Sequence, residues 1–209
     1  MQKFFRRLRK LKANSFTLVE LLVVITIIGL LAGLAVPAIQ GGLDKAKQQV
    51  DVSNARQLGI IFFNEANENN GLFRVNSDLT NTQSAGNFLT ILQGMISNGV
   101  LTTPKILAGN GVTPATSTNI TTANVALAYV LGLSTSDDGN TPLLLTKGAN
   151  ASTLANSNIT LLDTMPWKKK GMVFYRVGNS AEFIKQGTLG APKDTVNTSV
   201  TNTNTIIQP

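Results

Sequence analysis

Chemistry at a protein site needs nucleophiles, bases, metal ligands or charges held where water would not put them. The 209-residue chain has no cysteine and no histidine. That removes thiol nucleophiles, disulfides, the commonest general base and the commonest transition-metal ligand. Three constellations remain. Glu20 is the one charge inside the run from Leu18 to Ile39. Asp137, Asp138 and Asn140 share one glycine-containing turn and offer oxygens of the kind calcium takes. Lys168, Lys169 and Lys170 follow Trp167 as a short basic run that could meet acidic partners or DNA. No carboxylate pair, phosphate-cradling glycine loop or nucleophile elbow accompanies them, so the residues do not point to an enzyme.

Glu20 is the most informative of the three because its surroundings oppose it. Leu18 to Ile39 is 22 residues long, and as a helix it would span roughly 33 Å, enough for a bilayer core. A carboxylate at the centre of such a span costs on the order of 2.5–3.5 kcal/mol, and less near its end. Before residue 15 stand Lys3, Arg6, Arg7, Arg9, Lys10 and Lys12 with no acid. The other 12 basic and 11 acidic residues nearly cancel, although the whole chain is at +7. A nucleic-acid-binding domain would spread its positive charge over a folded face. Here the charge flanks an apolar segment and reads as topology, with the N-terminus held in the cytoplasm. Nucleic acid is therefore not an expected partner.

Three readings of the segment compete. A secretory signal has a shorter apolar region, and Val36-Pro37-Ala38 is a poor cleavage site. A plain single-pass anchor gives Glu20 nothing to do. A cut between Ser15 and Phe16 would instead create an amine four residues before Glu20, on the same helical face. Amine and carboxylate attract strongly in a low-dielectric setting, within one chain or between neighbours.

The stretch "FTLVELLVVITIIGLLAGLAVPAI", preceded by a basic leader and a small residue, resembles the type IV pilins and type II secretion pseudopilins. The resemblance implies that a prepilin peptidase cuts between Ser15 and Phe16 and methylates the Phe16 amine. It implies that Glu20 serves in subunit docking and that Pro37 marks a kink or local unwinding in the filament. Glycine usually precedes the cut in this family; here it is Ser15. Gly29 and Gly33 form a G-x-x-x-G pair that serves either close helix packing or softening of the helix near Pro37.

The implied fold is α+β and pilin-like, with a long N-terminal helix, half transmembrane and half amphipathic, packed on a small antiparallel sheet. The expected divisions are a basic leader (1–15), a transmembrane and filament-core helix (16–39), an amphipathic helix (40–67), a globular head (68–191) and a polar flexible tail (192–209). In the amphipathic part Leu43, Ala46, Val50, Leu58, Ile61 and Phe62 recur at near-helical spacing. Residues 87–98 predict a second helix, and 103–124 a loop. Residues 124–134 and 141–148 predict strands, and 171–185 a hairpin turning at Gly178-Asn179. The family allows calcium at Asp137, Asp138 and Asn140; the alternative is a solvated turn, where these residues are favoured anyway.

The expected function is that of a structural subunit, foremost a type II secretion pseudopilin of a periplasmic pseudopilus. The absence of the C-terminal cysteine pair of many pilins favours that reading. The alternatives are a type IV pilin of a surface fibre for adhesion, motility or DNA uptake, and a membrane-anchored binding protein without a filament. The expected partners are the prepilin peptidase, other pilin or pseudopilin subunits and an inner-membrane assembly platform. The expected location is the bacterial inner membrane, single-pass with the head periplasmic, and then the pilus or pseudopilus.

Overall fold

A computed structural model describes residues 16–75, 87–149, 158–188, 195–197 and 204–209. The chain divides into two compact units, Met1–Asp44 and Lys45–Pro209. Helix α1, Leu18–Glu68, begins in the first and ends in the second, and it remains helical through Pro37. In the first unit its apolar side chains are exposed, from Leu18 to Ile39. This is the one described helix long and apolar enough to cross a membrane.

The second unit is a head built on the amphipathic part of α1. Ala55, Leu58, Phe62 and Ala66 recur every three or four residues and are fully buried. Helix α2, Phe88–Ser97, lies where the apolar spacing places it, and Asn87 caps it by accepting from the Thr90 amide at 3.0 Å. The strands are β1 (Leu127–Val130), β2 (Pro142–Thr146), β3 (Asn158–Thr160), β4 (Gly171–Arg176), β5 (Ala181–Lys185), β6 (Thr195–Asn197) and β7 (Ile206–Ile207). Five form an antiparallel sheet in the order β5-β4-β2-β1-β7, and β3 pairs with β6 in a separate ribbon.

Aromatic packing joins helices to sheet. The Phe62 and Phe88 rings lie 4.9 and 5.3 Å from Tyr129 of β1, the latter stacked. Each such side chain contributes about 1.5–3 kcal/mol by leaving water, with further gain from the ring geometry. Gly59 has a specific reason to be glycine. A Cβ there would stand 2.3 Å from the Tyr175 ring of β4, so the missing side chain is what lets that ring lie against α1.

The 171–185 hairpin is β4 and β5. Although Val173, Tyr175 and Val177 alternate in sequence, every residue of β4 is buried. The helices and the β3–β6 ribbon both pack into the one core, so alternation does not divide core from solvent here. One expectation requires correction, that of residues 192–209 as a polar flexible tail. Their described parts are β6 and β7. Ile206 and Ile207 pair with Val130 and Tyr129, Asn204 donates to the Leu131 carbonyl at 2.7 Å, and the Gln208 side chain accepts from the Gly148 amide at 2.9 Å. Average composition hid the reason: two adjacent β-branched residues suffice to cover the open edge of β1.

Candidate functional site: the start of the first helix

Helix α1 opens with a reciprocal cap. Glu20 Oε2 accepts from the Thr17 amide at 2.9 Å and from the Thr17 hydroxyl at 2.7 Å. The Glu20 amide donates back to Thr17 Oγ1 at 3.2 Å. Helix starts leave backbone donors without partners, and this Thr-x-x-Glu box satisfies two of them. It also gives the isolated carboxylate a partner inside its own chain. Both bonds fall on Oε2, and Oε1 has no partner among the described residues. Thr17 was not among the residues singled out from sequence, although its spacing to Glu20 is the signature of a capping box. Beside it Phe16 is largely exposed, at 68%. Ser15 and the leader lie outside the described residues.

Farther along, the Thr26 hydroxyl donates to the Leu22 carbonyl at 2.7 Å, so it brings no unpaired donor into the apolar run. A Cβ built on Gly29 or Gly33 would meet nothing within 4 Å. Within one chain, therefore, neither glycine is needed to make room for a neighbour.

The other two constellations lie in the head, separate from each other. Asp137 Oδ2 accepts from the Ser134 amide at 2.6 Å, and Asp138 Oδ1 from the Asn140 amide at 2.9 Å. Arg176 donates to the Asn140 carbonyl at 2.5 Å and to Glu182 at 2.8 Å. One oxygen of each acid thus bonds a nearby amide of the turn, and a guanidinium holds the Asn140 carbonyl. Lys168–Lys170 form one 3-10 turn, with Lys169 3.8 Å from Asp163 across an exposed surface.

Two buried polar networks had no sequence signal. Asp51 of α1 accepts from the Trp167 indole at 2.7 Å and from the Asn110 amide at 3.0 Å. Burial pushes its carboxyl above the ordinary value, and those two bonds pull partly back. At the other end of the head, Arg74 pairs with Glu65 inside the core, and the Tyr129 hydroxyl donates to the Arg74 carbonyl at 2.7 Å. Burial is the main cause that pushes the Tyr129 phenol up, and it brings that of Tyr175 to about 12.

Residues 10–36 match the prokaryotic N-terminal methylation motif. A segment of 47 residues is 47% identical to the type II secretion system core protein G of Aeromonas hydrophila, covering 22% of this chain and 33% of that protein. The match thus spans about a third of that relative's length. No solved structure matches the chain. Over its N-terminal segment the chain is thus similar to proteins that carry the prokaryotic N-terminal methylation motif, and in part to a type II secretion system core protein.

Proposed function

We propose that the protein is a type II secretion pseudopilin. It is made with its basic leader in the cytoplasm and its head across the inner membrane. The prepilin peptidase cuts between Ser15 and Phe16 and methylates the new amine. The subunit then leaves the bilayer, through an inner-membrane assembly platform, for a filament of like subunits. The observation that carries this reading is the capped, solvent-facing apolar helix. Exposed apolar length on this scale demands a non-aqueous partner, first lipid and then other helices. The likeness to a type II secretion core protein supports the choice of system.

In the filament the apolar helices bundle, with Gly29 and Gly33 allowing close approach and Pro37 allowing local adjustment. Glu20 Oε1 takes the Phe16 amine of a neighbour while Oε2 keeps the Thr17 cap. The chemistry is the neutralisation of two charges in a dry setting, which fixes axial register.

Mass spectrometry of the mature N-terminus tests processing. The expected species starts at a methylated Phe16; an intact leader would favour a plain anchor. In cells carrying the assembly machinery, Glu20→Ala should insert normally yet lose filament incorporation by tenfold or more. Unchanged incorporation would remove the role of the carboxylate. Fibres found outside the cell would favour a surface pilus.

A further inference from the structure

The head is electrically polar along the α1 axis. At the Lys45 end stand Lys45 and Lys47 on α1, both exposed. Trp167, bonded to Asp51, brings the exposed Lys168 and Lys170 to the same end. The exposed Lys185 joins them, since it pairs with Gly171 across the β4–β5 ladder. Of the acids there, Asp51 is bonded within the fold, Asp163 sits beside Lys169, and Asp44, next to Lys45, is itself engaged.

The Glu68 end is the reverse. Glu68 is exposed just before the chain turns at Gly71. The Thr135 amide donates to the Gly71 carbonyl at 2.8 Å, and Leu72 bridges to Ser134. These contacts fasten the 134–140 turn to this end, with Asp137 and Asp138 exposed. The two arginines nearby, Arg74 and Arg176, are buried and paired with Glu65 and Glu182. Leu72, 45% exposed, adds an apolar side chain among the carboxylates.

The ends lie about 35 Å apart along α1 at 1.5 Å per residue. That exceeds the screening length of about 10 Å at ordinary salt several-fold, so neither end neutralises the other within a chain. Two copies meeting through like ends would repel. Copies stacked along the axis place ammonium groups against carboxylates. A contact between two different surfaces of one chain generates an open helical assembly where its rotation does not close into a ring.

We propose that the carboxylate end of the head, Glu68, Asp137 and Asp138, docks onto the lysine end of an axially neighbouring copy. The contact sets the order of heads on the filament surface. This rests on the filament reading given above, but on residues other than those of the first helix.

Charge reversal tests it with the full chain in cells that assemble filaments. Glu68→Lys with Asp138→Lys makes both ends basic; Lys45→Glu with Lys47→Glu and Lys168→Glu makes both acidic. Each substituted chain alone should lose filament yield by tenfold or more, at unchanged chain level and processing. Co-expressing the two should restore yield to within about twofold of the unaltered chain, because opposite ends again alternate. Asp137→Asn with Asp138→Asn keeps the turn's acceptors and should show an intermediate loss relative to the unaltered chain that narrows as salt is raised during reassembly, because salt screens the contact the unaltered chain retains. Normal yield from either reversed chain alone, or no recovery on mixing, overturns the proposal. A loss confined to the lysine-end variant also overturns it and assigns that end to anionic lipid. If the unaltered chain forms no filament, the filament reading fails first, and the proposal with it.

Discussion

At the scale of single residues, the two carboxylates that matter are held in opposite ways. Glu20 is exposed and bonded to Thr17, whereas Asp51 is half-buried beneath Trp167 and Asn110. Because burial raises the Asp51 value in the fold, folding takes up a proton between the ordinary carboxylate range and that raised value. Stability from this group is therefore greatest below that window and falls as pH climbs through it. Asp51→Asn keeps an oxygen for the indole and the amide but cannot ionise. Thermal melts should show the variant gaining on the unaltered protein by a few degrees between pH 4 and pH 7. A constant difference across that range would mean that burial does not govern the group. The two acids also differ in how openly sequence announces them. Thr17 and Glu20 are three residues apart, a spacing a capping rule reads directly. Asp51 and Trp167 are 116 residues apart, and only the tertiary path of the chain brings them together.

At the scale of elements, α1 and the sheet meet at Gly59. Elsewhere in a helix, glycine to alanine stabilises by roughly 0.5–1 kcal/mol. Here the new methyl would strike the Tyr175 ring, so overpacking wins. Gly59→Ala should destabilise the head by about 2 kcal/mol, read as a lower denaturation midpoint; a stabilised variant would mean that the ring moves aside freely. Strong periodicity made the helices legible: α2 and the amphipathic half of α1 repeat apolar residues every three or four positions. The β1, β2 and β4 segments were legible as apolar runs. β3, β6 and β7 were not, since two or three residues among Thr, Asn and Ser carry no period. Their pairing is decided by which edge needs cover, which is a property of the fold. The turn at Asp137 and Asp138 was legible as a turn, while the Arg176 bond to the Asn140 carbonyl comes from a strand 36 residues away.

At the scale of the whole molecule, the chain separates into units with opposite needs. The Lys45–Pro209 unit hides its apolar residues and carries its own core. The described residues of the first unit, from Phe16, expose theirs. Glu20→Ala touches only the first, so in detergent the head's melting temperature should stay within about 1–2 °C of the unaltered protein. A larger shift would show that the units are energetically coupled. The plan of a long apolar helix start followed by an α+β head was readable from the apolar length and the strand-like runs beyond it. The charge polarity of the head was not, because the overall balance of acids and bases beyond the leader is nearly even and only folding sorts them to opposite ends.

The strand β7 bears on the order of events during synthesis. It is translated after β1, β2, β4 and β5, yet it covers the outer edge of β1. Until those residues arrive, the nascent head offers a row of unpaired amides and carbonyls along Leu127–Val130. A chain truncated between β5 and β7 would keep that row permanently. Such a fragment would offer that edge to foreign strands, so pairing with β7 guards the sheet against wrong partners.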